Sequence, residues 1–226
     1  MKKTELIQEI REAAIIAIIR GVEHEKLPPL LDALAAGGIR FAEITFDQTG
    51  RTSGEETAQS IAELKKHMAG RMHIGAGTVM TVGQADRAMT AGAEFLISPN
   101  VNPEVIRHTV AAGCVSIPGA MTPTEAAVAY ESGADFVKLF PADTLGLSYI
   151  KALMAPLSHI PFLAVGGVNE CNIGDFLATG LAGVGVGSAL TPIEWIANES
   201  YQQITEHANR YCNVVQNHRN YFGKRA

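Results

Sequence analysis

Two titratable side chains fall inside runs that otherwise read as buried strands. Lys138 interrupts DFVKLFP at 135–141, and Glu43 interrupts FAEITF at 41–46. Taking an ammonium or a carboxylate out of water costs several kcal/mol unless the group is paired or neutralised, so each needs a reason to be there. Period-two alternation puts Phe136, Lys138 and Phe140 on one face of their strand. Burial against two rings is expected to lower the pKa of the amine, and an amine that is neutral near physiological pH can attack a ketone and form an imine. The other reading is a lysine paired with a neighbouring carboxylate for structural reasons. Glu43 has the same two readings with the sign reversed: a core ion pair, or a general base whose pKa is raised by apolar neighbours. Brought to one site, the pair would supply a nucleophile and a proton shuttle, since carbinolamine dehydration and enamine formation each move a proton.

Further candidates end other apolar runs. Arg20 closes IIAIIRG at 15–21 and is either a fixed fork for a carboxylate or an ordinary surface arginine. In GAGTV at 75–79, Gly75 and Gly77 would let the backbone approach a ligand and Thr78 offers a hydroxyl, unless the glycines only serve tight packing. VGGVN at 165–169 and GVGSAL at 185–190 bring Gly166, Gly167, Gly187 and Ser188 to the ends of two successive runs. Backbone N–H groups in such positions hold phosphate, and two motifs favour that reading over packing glycines. The seven histidines form no HxH or HExxH pattern, the three cysteines are far apart, and no carboxylates cluster, so neither a metal nor another cofactor is expected.

The elements that must position these residues recur along the whole chain. Eight short apolar runs, at 15–21, 41–46, 72–79, 94–100, 114–120, 135–141, 161–168 and 182–190, are each followed by a helix-like segment. Gly38, Gly92, Gly113, Gly133 and Gly180 read as helix C-caps, while Thr81, Asn102, Thr122 and Asn169 stand at or near N-caps. This pattern predicts an α/β fold, a single (β/α)8 TIM barrel over residues 1–226, with a capping helix at 2–13 and a C-terminal helical extension near 199–217. A doubly wound open sheet is the alternative; against it, the glycine-rich sequences follow the last two runs instead of the first. Trp195, Tyr201 and Tyr211 are expected to cover the barrel or meet another subunit.

Composition narrows the partners. At 226 residues and 47% hydrophobic content the chain can bury a large core, and a formal charge of -5 gives no basic footprint beyond the terminal Lys224 and Arg225. Nucleic acid is not an expected partner. No stretch approaches the roughly 20 apolar residues of a membrane helix. The N-terminal MKKTELIQEIREA lacks the apolar core of a signal peptide, and three unpaired cysteines suit a reducing, cytoplasmic setting.

AIIRG, AEIT, IGAGTV, LISPN, IPGAMTPTEA, DFVKLFPA, AVGGV and GVGSAL follow in that order over residues 12–190. In these motifs the chain resembles the class I 2-keto-3-deoxy-6-phosphogluconate (KDPG) and 4-hydroxy-2-oxoglutarate (KHG) aldolases, with GAGTV and KLFP the most specific. The resemblance, which extends to the 6-phosphogalactonate relatives, implies a lyase that splits a 2-keto-3-deoxy-6-phospho sugar acid into pyruvate and glyceraldehyde 3-phosphate. By that likeness Lys138 is the Schiff-base lysine, Glu43 the general base, Thr78 a contact to the pyruvate carboxylate and Arg20 an anion binder. Pro99 and Phe140 would touch substrate, and Gly166, Gly167, Gly187 and Ser188 would hold phosphate. A metal-free homotrimer is implied as well. The chain departs from the gluconate pattern twice: Asp47 stands where an arginine binds the carboxylate, and Val165 replaces a threonine before Gly-Gly. An aspartate cannot pair with a carboxylate, so the anion contact is expected from Arg20, Thr78, backbone amides or Arg51.

Overall fold

Strands buried on both faces need apolar residues on both, and the strand segments here are apolar almost throughout. In the computed structural model, which describes residues 2–222, they are β1 (Ile15–Ile19), β2 (Phe41–Thr45), β3 (His73–Gly77), β4 (Phe95–Ile97), β5 (Val115–Ile117), β6 (Gly119–Ala120), β7 (Val137–Leu139), β8 (Phe162–Val165) and β9 (Gly183–Val186). All pair in parallel, in the order β5-β4-β3-β2-β1-β9-β8-β7-β6.

The two ends of that order are halves of one strand, parted at Pro118, whose ring nitrogen has no proton to give the ladder. Its carbonyl still works: Lys138 N–H donates to Pro118 O at 2.8 Å and Phe140 N–H to Ala120 O at 3.1 Å. The far side of the same strand pairs with β4. The sheet therefore meets itself, and the eight expected strands form a barrel with the fifth one bent.

Helices alternate with the strands: α1 (Lys3–Ala13), α2 (Leu27–Ala36), α3 (Gly54–His67), α4 (Val82–Thr90), α5 (Pro103–Ala111), α6 (Pro123–Glu131), α7 (Ala142–Met154), α8 (Ile173–Leu177), α9 (Ile193–Ala197) and α10 (Tyr201–Phe222). Thr81, Asn102 and Thr122 cap α4, α5 and α6, their side chains accepting from the N–H groups of Gln84, Glu104 and Glu125. The cap of α8 is Asn172 instead of Asn169; Asn169 heads the turn before it, taking the Cys171 N–H on its side chain at 2.9 Å.

Apolar side chains form two cores. The inner one fills the barrel with Ile16, Phe41, Phe95, Ile97, Val115, Ile117, Phe136 and Leu163, and α1 closes its bottom with Leu6 and Ile10, as the capping helix was expected to do. The outer one lies between strands and helices, and Ile204, Ala208 and Tyr211 of α10 belong to it. A Cβ on Gly37 would stand 2.5 Å from Ala208 Cβ, so the glycine at the end of α2 is what admits α10 so closely. The C-terminal helix expected near 199–217 is α10, which packs on α2 and α8 and completes the outer ring. The terminal residues Gly223, Lys224 and Arg225 lie outside the described residues.

At the bottom, charges are paired. His73 faces Glu9 at 3.2 Å and Glu94 at 3.1 Å; Arg40 and Lys65 reach the same two carboxylates, and Lys3 meets Asp135 at 2.9 Å.

Candidate active site

At the opposite, C-terminal end of the strands two buried ionisable side chains have no ion-pair partner among the described residues. Lys138, on β7, is 6% exposed, and its Nζ stands 4.7 Å from the centroid of the Phe140 ring. Phe136 belongs to the layer beneath, where the Arg11 guanidinium covers it at 5.3 Å. The ring at the amine is thus Phe140, one ring where the alternation suggested two. Among the described residues, Nζ has no hydrogen-bond or ion-pair partner. Burial lowers the pKa of Lys138; the negative charge of Glu43 opposes this, and Arg20 adds to it.

Glu43, on β2, is 1% exposed. Its Oε1 accepts from Thr45 Oγ1 at 3.3 Å, and its Oε2 is the one buried side-chain polar atom without a hydrogen-bond partner among the described residues. Burial raises the pKa of this carboxyl; Lys138, the Thr45 hydroxyl and Arg20 pull the other way without prevailing. Two groups of opposite charge type are therefore both pushed toward their neutral forms. Neither structural reading, a core ion pair for the lysine or for the glutamate, is realised in the geometry.

The strand beside Glu43 makes room for it. A Cβ on Gly77 would lie 2.1 Å from Glu43 Oε1, and one on Gly75 would lie 2.4 Å from the Phe95 ring. These glycines clear space for side chains; the expectation that they bring backbone to a ligand is not needed. Thr78 follows with φ of +55°, a left-handed conformation that is strained for a β-branched residue by about 1–3 kcal/mol. Bonds on either side hold it: Val79 N–H donates to Ile97 O at 3.1 Å, and Gln48 Nε2 donates to Thr78 O at 3.3 Å. Thr78 is half-buried at the end of β3, and Pro99, also half-buried, ends β4 with its carbonyl against Gly119.

Arg20 is exposed and, among the described residues, its guanidinium holds no partner, though its charge is felt by both Lys138 and Glu43. Asp47 is occupied elsewhere. Its carboxylate accepts from Thr49 N–H at 2.9 Å, the Thr49 hydroxyl at 2.8 Å, Arg51 N–H at 2.7 Å and Thr52 N–H at 3.1 Å. These bonds, the Thr49 pair foremost, hold its pKa down at about 2. Asp47 thus ties up the loop between β2 and α3, a role invisible in the sequence, where it read only as a missing arginine.

The two glycine motifs end β8 and β9 side by side, with Val165 and Gly185 in register. Gly187 O takes the N–H groups of Leu190 at 2.8 Å and Thr191 at 3.1 Å, making a tight turn over Ser188 and Ala189. Among the described residues, the N–H groups of Gly167, Val168, Ser188 and Ala189 find no backbone acceptor. Gly166 and Gly167 have φ of +97° and +71°, and the Asp143 side chain fills the place of a Cβ on Gly167. Unpaired amides at adjacent strand ends suit an anion. Among the described residues no cluster of three or more His, Cys, Asp or Glu side chains could hold a metal ion.

A parallel barrel with a desolvated amine and a protonatable carboxyl at its C-terminal mouth is equipped for the imine chemistry that one class of barrel carbon–carbon lyases uses. The family model described as KDPG and KHG aldolase matches residues 6–207. The chain belongs to that family. It is 41% identical over 180 residues to a probable 2-dehydro-3-deoxy-6-phosphogalactonate aldolase of Rhizobium meliloti, covering 79% of this chain and 82% of that one. To the 2-dehydro-3-deoxy-phosphogluconate aldolase of Treponema pallidum it is 34% identical over 211 residues, 93% and 97% of the two chains. A KDPG aldolase from Legionella pneumophila, with pyruvate captured as a covalent carbinolamine, superposes with a TM-score of 0.80 at 30% identity, covering 92% of this chain and 97% of that one.

Proposed function

We propose that the chain is a Schiff-base aldolase that cleaves a 2-keto-3-deoxy-6-phospho sugar acid, of gluconate or galactonate configuration, to pyruvate and glyceraldehyde 3-phosphate, with 4-hydroxy-2-oxoglutarate as a further substrate. The observation that carries this reading is Lys138: a buried amine, its pKa lowered, with no ion-pair partner, sharing the barrel mouth with Glu43.

In this reading the neutral Nζ of Lys138 attacks the substrate's C2 ketone, one amine proton moves to the oxygen, and Glu43 delivers a second proton to it, so that water leaves and a protonated imine forms. Glu43, now a carboxylate, takes the proton of the C4 hydroxyl; the C3–C4 bond breaks, the aldehyde departs, and the electron pair passes through the enamine to the imine nitrogen. Glu43 then returns the proton to C3, and water hydrolyses the protonated imine, releasing pyruvate and the neutral amine while the proton set free goes back to Glu43. A carboxyl whose pKa is raised by burial suits the first of these steps. Arg20 and Thr78 receive the keto-acid carboxylate, Phe140 and Pro99 wall the chain of the substrate, and Gly166, Gly167, Gly187 and Ser188 hold its phosphate.

Borohydride reduction in the presence of pyruvate should fix a pyruvate-derived adduct on Lys138. A reduced sample with no adduct at Lys138 sinks the imine and leaves a barrel that merely binds sugar phosphates. Pyruvate release from the two epimers, with and without phosphate, selects the substrate. The same reading carries a cytoplasmic homotrimer, which light scattering tests as a mass three times that of the chain.

A further inference from the structure

A polar cluster on α10 reaches both glycine-motif loops. His207 Nε2 donates to Ala189 O at 2.8 Å, and the Tyr211 hydroxyl donates to the same oxygen at 3.3 Å. Ala189 lies in the turn whose Ser188 and Ala189 amides are unpaired. One helical turn along, Arg210 Nε meets both carboxylate oxygens of Glu170 at 3.1 Å, and Glu170 belongs to the loop that leaves β8 after Gly166 and Gly167. Arg210 also donates to His207 Nδ1 at 2.7 Å, with Glu170 Oε2 at 3.4 Å from that nitrogen. Nδ1 is therefore the acceptor and Nε2 carries the ring proton, the tautomer that Ala189 O requires. Trp195 and Tyr211 set their rings edge-on to His207, at 5.2 and 5.1 Å between centroids, and fix its plane.

We propose that His207 and Arg210 are positioning residues that clamp the β8 and β9 loops to each other, and so set the spacing of the amides that receive the substrate's phosphate. Neither side chain touches the reacting carbons; they act through Ala189 and Glu170. A fixed cradle matters because an anion held by amides from two separate loops loses contacts as soon as either loop shifts, and a displacement of one ångström is enough to weaken binding or orientation severely. This inference rests on the assignment of the two loops to phosphate.

Steady-state kinetics on a phosphorylated 2-keto-3-deoxy sugar acid and its unphosphorylated counterpart test it. His207→Leu should raise KM for the phosphorylated substrate about tenfold or more, with kcat changed less. KM for the unphosphorylated substrate, and borohydride trapping of pyruvate, should stay as in the wild type. His207→Gln, which keeps an N–H to offer Ala189 O, should recover most of the loss. Arg210→Met, at a more exposed position, repeats the test if the leucine variant does not fold, and should raise the same KM about threefold. Equal losses on both substrates, or no change in KM for the phosphorylated one, overturn the clamp. A wild-type enzyme that treats the two substrates alike removes the phosphate assignment itself, and the clamp with it, before any variant is made.

Discussion

The two ends of the barrel handle charge in opposite ways. At the bottom, His73 is shared between Glu9 and Glu94, Arg40 and Lys65 reach the same carboxylates, and Lys3 meets Asp135. At the mouth, Lys138 and Glu43 are more deeply buried than any of these, yet no direct ion pair joins them among the described residues. Burial acts on Glu94 too, but hydrogen bonds and charge from His73 and Lys65 outweigh it, so its pKa is lowered; at Glu43 burial prevails and the pKa is raised. Buried charge that is paired belongs to the scaffold. Buried charge left single destabilises the fold and is available to react.

The contrast can be broken from either side. Lys138→Ala should abolish turnover and borohydride trapping, whereas any change at the bottom should leave both intact. Glu43→Gln removes the proton relay and should slow turnover by about 10²–10⁴-fold, measured as kcat at saturating substrate. Stability should respond in reverse. Lys138→Met discards an unpaired buried amine and should raise unfolding free energy in urea at neutral pH, by about 1–4 kcal/mol. The gain has a pH signature. Between its lowered folded pKa and the ordinary 10.5, Lys138 binds its proton only in the unfolded chain, so wild-type stability climbs with pH there. The methionine variant should lose that climb, and a parallel pH profile would refute the assignment of a lowered pKa.

At the bottom the signs invert. His73→Ala strips Glu9 and Glu94 of a shared partner and should lower stability by about 1–3 kcal/mol without changing kcat. Glu94 contributes stability above its ordinary 4.5, and this is lost as pH falls through its lowered pKa. Glu94→Gln should therefore flatten the acid limb of the denaturation profile. The smallest effect belongs to Asp47→Ala, read as faster hydrogen exchange at the amides of Thr49, Arg51 and Thr52 with KM for the keto acid little altered.

Periodicity and punctuation made the barrel legible: all eight runs became strands, and the glycines at 38, 92, 113, 133 and 180 turn the helix ends with positive φ. Lys138 and Glu43 were legible because ionisable groups inside strands violate a strong rule. What stayed hidden depended on partners distant in the chain. Nothing local distinguishes Asp47 as an unmet anion from Asp47 as the acceptor for its own loop, since both readings use the same residue and differ only in where a rotamer points. That α10 is part of the ring follows from Gly37 meeting Ala208, a contact across the whole length of the chain. His207, Arg210 and Glu170 were missed for the same reason: in this region only Trp195, Tyr201 and Tyr211 stood out, and the three polar groups share no motif. Phe136 was assigned to the amine by alternation, which fixes a face but not a layer.

Gly77 has no side chain with which to do chemistry. Any larger residue there would occupy the volume of the Glu43 carboxylate. In a saturation library scored by growth, position 77 should look as intolerant as position 43 itself. The two should also be inseparable as a lineage: a chain that gave up the glutamate would free the glycine to drift, whereas a chain that filled position 77 first would have lost the glutamate's seat.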